Sequence, residues 1–467
     1  MRTLSIITDY NFSITEAFSA SVPYLSHSTL SDYPLNIPFS NAKTLLGQEF
    51  PFAFYDMRAE QRICLHLEAL AIIAGTIQED GTLYIICPQW NNLTATPDID
   101  SLRWNNNQLI ATPYFYHYFQ DLVKSFNFEV RVSKSNLKLN RKSDNVTKNN
   151  NALTKDQQII YNNLPLDPAT VHLITAPRGR GKSTLAGKLA QFLSTNHQVI
   201  ITARSRSVLP NFWKNIQSDN IQFFAPDKLI ELIETRQISP HHWLFIDEAA
   251  SLPIPMLLKL CQYFAKVILT TTTQNYEGTG RGFSLKLLSQ LNQPHKHWQL
   301  TEPLRWGKND PLESFINQLL LLDDDLTVAN RIELNNHNTY GEKLPFYALL
   351  AQAHYKTTPT DLRRLFDGSA QAFYQIKEKE RLIAGCWLVN EGGLDQELTK
   401  AIWRGERRPQ GNLVAQYLCF QANLPDACLL NSVRISRIAV APIYQNKGYG
   451  KRLVQQVISQ IPANIDF

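Results

Sequence analysis

The sequence predicts a multidomain α/β protein, and three observations carry that expectation. The chain has 467 residues, more than one ordinary domain holds and natural for two to four. Strand-like runs alternate with helical ones through VHLIT, STLAGKLAQFL, HQVIITA, HHWLFIDEA and KVILTTTT, the mark of a parallel sheet covered by helices. Twice, at 171–193 and 433–461, a strand-like run enters a glycine-bearing loop that opens a helix. That arrangement turns backbone N–H groups toward an anion.

Composition narrows the class. Hydrophobic residues are 44%, aromatics 10% and charged residues 19%, which excludes a mainly disordered, collagen-like or coiled-coil chain. A net charge of +5 and a pI near 8.7 permit a polyanionic partner without demanding one. The six cysteines, at 64, 87, 261, 386, 419 and 428, form no C-x-x-C pair, so neither a disulfide framework nor a zinc site is expected. The start, MRTLSIITDYNFS, has only a short apolar run before Asp9 and does not read as a signal peptide. No apolar run approaches the ~20 residues of a membrane span. A soluble, cytoplasmic protein is expected.

The elements follow in order. Residues 1–130 read as an N-terminal α/β unit, with a helix in AEQRICLHLEALAIIAGTI (Ile63, Leu67, Leu70, Ile73) and a buried strand in LYIICP. The run 131–151, RVSKSNLKLNRKSDNVTKNNN, is basic and Asn-rich with almost no large apolar residues, so it reads as a linker, solvated or touching RNA phosphates. The β-α alternation fills 152–330, and a third unit runs from 331 to 467. No internal repeat is visible.

The first loop is Ala176-Pro-Arg-Gly-Arg-Gly-Lys-Ser183, the P-loop pattern G-x-x-x-x-G-K-[ST] with Ala176 in place of the first glycine. Gly179, Arg180, Gly181, Lys182, Ser183, Thr184 and Leu185 form the expected nucleotide-binding set. Lys182 reaches the β- and γ-phosphates and Ser183 holds Mg²⁺. The helix is expected to bury Leu185, Leu189, Phe192 and Leu193. WLFIDEAA supplies an apolar strand ending in Asp247 and Glu248, acids placed to bind Mg²⁺ (Asp247) and to orient the attacking water (Glu248). Together these imply ATP or GTP hydrolysis. Gln157 sits where a carboxamide reads adenine, with Gln158 a neighbouring rival. Arg305, in LTEPLRW, either reaches the γ-phosphate or pairs with Glu302 on the surface. Too few residues separate Asp247 from 331 for a second ATPase core, so a translocating motor is not expected.

The second loop follows the strand VRISRIAV and runs Gln445-Asn446-Lys447-Gly448-Tyr449-Gly450 into a helix expected to bury Leu453, Val454, Val457, Ile458 and Ile461. The string RIAV-x-P-x-x-Q-x-x-G-x-G resembles the pyrophosphate loop of GNAT acetyltransferases. That resemblance implies acetyl-CoA, with Gln445, Asn446, Lys447, Gly448, Tyr449, Gly450 and Lys451 at its pyrophosphate. Ile438, Ala439 and Val440 then pair with its pantetheine arm as an added strand would.

A P-loop ATPase ahead of a GNAT module is an uncommon pair. With LLGQEFPFAFYDM, SLRWNNNQLIATPYF, NYEGTGRGFSLKLL, EPLRW, AHYKTTPTDLRRLFD, WLVNEGGLDQEL and IWRGERRPQGNLVAQ, the chain resembles the tRNA(Met) cytidine acetyltransferase family. The resemblance implies a small N-terminal α/β domain, a RecA or helicase-like ATPase core and a GNAT domain. It implies acetyl transfer from acetyl-CoA to the wobble cytidine of elongator tRNA(Met), with ATP or GTP hydrolysis. A strand N–H near Val440 would stabilise the developing oxyanion, and Arg363, Arg364, Arg404, Arg407 and Arg408 are candidate phosphate contacts. The pattern stops at Phe467, where the next GNAT strand is expected, so the acetyltransferase reads as incomplete and its last strand as an open edge. Two other readings stay open: an RNA-binding ATPase without acetyl transfer, and a GNAT acting on a protein lysine. No DNA or membrane partner is expected, and no catalytic base is assigned.

Overall fold

The computed structural model describes residues 1–12, 22–28, 36–46, 48–131, 153–177, 179–206, 209–272, 274–275, 278–279, 281–304, 306–322, 340–353, 358–379 and 381–466. The expected linker, apart from Arg131, lies outside them, as does Arg305. The chain forms two compact units. One comprises Met1–Arg2, Ile77–Gly81 and Leu137–Glu313; the other comprises Thr3–Thr76, Thr82–Asn136 and Ser314–Phe467. Stretches that the sequence reads as an N-terminal and a third unit thus fall into one compact unit.

The first unit is built on a parallel sheet in the order Ile221–Phe223, Val199–Thr202, Trp243–Ile246, Lys266–Thr272, Val171–Ala176, His295–Gln299. Val171–Ala176 is buried at every position, as a central parallel strand with both faces covered must be. On one face the helix Lys182–Leu193 packs Leu185, Leu189 and Leu193 against Ile174, Ile201 and Phe245. On the other, Leu257 and Leu260 cover Leu173, Leu244 and Ile246. Phe192, expected in the core, is exposed instead; it flanks Tyr161 at a ring distance of 5.6 Å.

In the second unit a parallel sheet carries Thr3–Ile7 between Glu129–Arg131 and residues 82–86 of the strand Ile77–Ile86, with Phe50–Asp56, Tyr24–Ser26 and Asn36–Pro38 beyond. The helix expected from residue 59 is shorter, Leu67–Ala74, and Ile63 ends a short strand. Its apolar spacing extends further back than the helix does because strand and helix are buried alike. The same unit holds an antiparallel sheet of Gln371–Glu378, Arg381–Gly392 and Asn431–Val440. The helix Tyr449–Gln460 covers it with Leu453 and Val457. Ile458, expected in that core, is 64% exposed.

Arg363 ties the second unit together. Its buried guanidinium bonds the buried Asp98 carboxylate, Thr112 Oγ1 at 3.0 Å and the Leu65 carbonyl at 3.0 Å. Asp98 also accepts from the Tyr116 hydroxyl at 2.6 Å. A buried cation needs such a set of acceptors. This removes Arg363 from the phosphate contacts expected of it: the side chain is only 1% exposed. Arg364 is half-buried, with its pKa lowered first by burial and then by Arg434.

Candidate functional site

The nucleotide loop is set by backbone geometry. Gly181 caps the helix Lys182–Leu193 at φ +73°, and a Cβ there would lie 2.4 Å from Leu304 Cδ1 and 2.5 Å from Gln157 Nε2. Only glycine fits both the left-handed conformation and the space. Lys182 Nζ donates to the carbonyls of Ala176 and Pro177, at 3.3 Å each.

Below the loop, Ser183 Oγ donates to Asp247 Oδ2 at 2.8 Å. Asp247 follows the strand Trp243–Ile246 and is 1% exposed. Burial pushes its carboxyl above the usual aspartate range, while the Thr270 and Ser183 hydroxyls and Lys182 pull it down. Glu248 takes φ +49°, and Thr272 Oγ1 donates to its carboxylate at 2.9 and 3.2 Å. The threonines escaped the sequence reading, although their signal is there. Thr270 and Thr272 lie two apart in KVILTTTT, hence on one face of the strand.

Of the expected set, Thr184 is half-buried at the start of the helix. Leu185 is a core residue, and its amide is used within the helix, bonding Gly181 O at 2.9 Å. Arg180 turns aside: Nε donates to Thr301 O at 3.0 Å and Nη2 to Glu313 at 2.8 Å. Glu313 also accepts from Trp306 Nε1 at 2.7 Å. Gln157 lies against the loop, with both ends of its amide bonded to protein. Its Nε2 donates to Arg180 O at 3.1 Å and its Oε1 accepts from Thr154 N at 3.0 Å, the second half of a capping box. Both ends of the amide serve the fold.

The second loop follows Asn431–Val440. That strand pairs with Arg381–Gly392 through a bulge that leaves Ser436 without an opposite residue. Ile438, Ala439 and Val440 form its last turn of pairing. Among the described residues its other edge is unpaired, and Asp466 returns only to Asn431, its N–H reaching Asn431 O at 2.7 Å. Gly448 caps the helix Tyr449–Gln460 at φ +83° with nothing within 4 Å of an added Cβ, so backbone conformation rather than space selects glycine. The cap has no side-chain acceptor, which leaves the first N–H groups of the helix to face outward past Gly450 and Lys451. Gln445 Nε2 closes the turn on Val440 O at 3.1 Å. Asn446 takes φ +59°, and Lys447 lies 5.5 Å from the Tyr444 ring. Tyr444 packs edge-on to Tyr449.

Among the described residues no cluster of three or more His, Cys, Asp or Glu side chains could hold a metal ion. No helix of theirs is long and apolar enough to cross a membrane.

A parallel sheet with a P-loop in one unit, and an antiparallel sheet with an uncapped helix start in the other, give this α/β chain two separate anion-facing loops. Residues 173–323 match the helicase domain of RNA cytidine acetyltransferase NAT10/TcmA, 345–465 match GNAT acetyltransferase 2, and 1–131 match the N-terminal domain of tRNA(Met) cytidine acetyltransferase TmcA. The chain belongs to the tRNA(Met) cytidine acetyltransferase TmcA family. It is 57% identical over 421 residues to the TmcA of Actinobacillus pleuropneumoniae serotype 5b, covering 90% of this chain and 68% of that one. The TmcA of Haemophilus ducreyi is 55% identical over 427 residues, 91% of this chain and 69% of that one. The Haemophilus influenzae TmcA is 39% identical, covering 92% of this chain and 72% of that one.

Proposed function

We propose that this chain acts in ATP- or GTP-dependent N4-acetylation of the wobble cytidine of elongator tRNA(Met), with acetyl-CoA as donor, in the cytoplasm. The observation that carries the reading is that one chain builds both half-sites: the Ser183–Asp247 contact beneath a P-loop, and an uncapped helix start after the strand Asn431–Val440.

At the first half-site, the loop backbone and Lys182 hold the phosphates. The donors Ser183 and Asp247 are hard oxygens that fit Mg²⁺, which such sites bind through one carboxylate together with substrate phosphates. When bound, Mg²⁺ neutralises phosphate charge. Glu248 orients the attacking water, its carboxylate steadied by Thr272. Arg305 is an additional candidate for the γ-phosphate.

At the second half-site, the N–H groups from Gly448 to Lys451 hold the pyrophosphate of acetyl-CoA, and Ile438, Ala439 and Val440 align its arm. A backbone N–H near Val440 stabilises charge on the carbonyl oxygen. The cytidine amine is conjugated with its ring and weakly nucleophilic, so positioning supplies much of the rate. Nucleotide hydrolysis offsets the few kcal/mol of unstacking the base.

The test is nucleoside analysis of tRNA from cells lacking this gene, beside a transfer assay with labelled acetyl-CoA, ATP and tRNA(Met). Loss of N4-acetylcytidine in the cells is the expected result. Undiminished acetylcytidine would sink the reading and favour a protein substrate.

A further inference from the structure

Residues 393–430 stand between two strands of the antiparallel sheet as a module with its own core. The helices Gln396–Trp403 and Leu413–Phe420 pack Ile402, Ala415 and Cys419 against Ala427 and Cys428. The outer face is aromatic. Tyr417 is 63%, Trp403 41% and Phe420 40% exposed, far above what rings of this size show in a core. Beside them runs Trp403-Arg-Gly-Glu-Arg-Arg408, three guanidiniums against one carboxylate, all of them exposed. Among the described residues, Arg404, Arg407 and Arg408 have no carboxylate partner. Arg408 instead lies 5.6 Å from the Phe420 ring.

The module is fixed, not tethered. Glu391, buried at the end of Arg381–Gly392, accepts the Val414 N–H at 2.8 Å and the Arg434 Nε at 2.5 Å. Asn412 Oδ1 accepts the Gly392 N–H at 2.8 Å. The strand Asn431–Val440 then leads from this module at one end to the anion loop at the other.

We propose that this face is a stacking platform for an unpaired RNA segment. Tyr417 and Phe420 take base faces, and Arg404, Arg407 and Arg408 take the flanking phosphates. The inference rests on the RNA-acceptor reading above and assigns that acceptor a surface. Aromatic rings beside unpaired guanidiniums match single-stranded nucleic acid, whose bases offer π-faces and whose backbone offers charge. A second copy docked face to face would set the same excess of guanidiniums against itself, which like-charge repulsion disfavours. The position follows the chemistry: an acceptor held at one end of the strand and an acyl carrier at the other meet along it.

The experiment is fluorescence anisotropy of a labelled unstructured RNA heptamer, and of a tRNA transcript, with the full 467-residue chain. Tyr417→Ala should weaken binding by about five- to a hundredfold, the effect of losing one stacked base. Tyr417→Phe should stay within about twofold of the parent. Arg407→Gln should reduce the salt slope of log K by about 0.7, one single-strand phosphate. Unchanged affinity and slope in variants that melt like the parent would overturn the assignment. So would absence of RNA binding by the parent, or a parent dimer that Tyr417→Ala dissociates, which would give the face to a second copy. Tyr417-dependent RNA binding without acetylcytidine would support the platform and sink the transfer reading. Acetylcytidine formation with Tyr417-independent binding would do the reverse.

Discussion

Replacing Arg363 with methionine removes the charge and keeps most of the aliphatic volume. The guanidinium bonds Asp98, Thr112 and Leu65 O, and its Cζ lies 4.7 Å from the Phe115 ring and 5.3 Å from that of Tyr116. Without it the Asp98 carboxylate stays buried with three donors: Leu65 N at 3.3 Å, Asp100 N at 2.9 Å and Tyr116 OH at 2.6 Å. Stranding one partner of a buried pair costs about 3–5 kcal/mol. At roughly 2–4 °C per kcal/mol, the melting point of this unit should fall by about 6–20 °C. Removing the stranded charge as well, in Asp98→Asn with Arg363→Met, should recover about 0.5–3 kcal/mol relative to additivity. Calorimetry on the parent, both single variants and the double variant completes the cycle. A loss below about 1 kcal/mol for Arg363→Met, or strict additivity, would refute the argument. The same variant should leave the salt slope of RNA binding unchanged, because a side chain only 1% exposed meets no phosphate.

Lys182→Ala should lower the turnover number for nucleotide hydrolysis by about 10²–10³-fold, since a preorganised cation is lost where charge develops; parent-like turnover would sink the P-loop assignment. If Gln157 acts as a brace on the loop, Gln157→Ala should weaken ATP and GTP equally, by about five- to tenfold; a selective loss of ATP would instead support the base-reading role. Asp367 has its carboxyl pushed up to about 6 by burial, against the N–H groups of Phe115 and Tyr114. Between the ordinary 3.8 and about 6 the folded chain keeps a proton the unfolded chain has released, so this group's stabilisation is full at low pH and fades as pH rises through 6. The stability difference between the parent and Asp367→Asn should therefore shrink by up to about 3 kcal/mol from pH 4 to pH 7. Denaturant titrations at each pH would expose a flat difference as the contrary result.

What could be read ahead of the structure divides by range. The P-loop, Asp247 and the Gly448 loop were legible because their patterns encode local backbone geometry, and local geometry survives in any tertiary context. The bonding of Gln157 within the fold is equally local: Thr154-x-x-Gln157 is a capping-box pattern at a helix start. Arg363 was illegible. Only a partner 265 positions away decides that this arginine, unlike Arg407, is withdrawn from water. Ile458 and Phe192 fell on apolar stripes wider than the surfaces available to cover them.

Arg2 has a consequence in time. Its guanidinium is 1% exposed, bonded to Asp310 and stacked 3.6 Å over Trp306. Asp310 lies 308 positions later. At 5–20 residues per second, the ribosome delivers that acceptor about 15–60 s after Arg2 is made. Until then the arginine is an ordinary hydrated cation, and the nucleotide loop lacks the Asp310–Trp306 segment that lies beside it. The ATPase unit therefore cannot finish folding in the order in which it is synthesised. Its earliest-made residues are among the last to be locked, and a slow stretch of translation before codon 310 would prolong the interval.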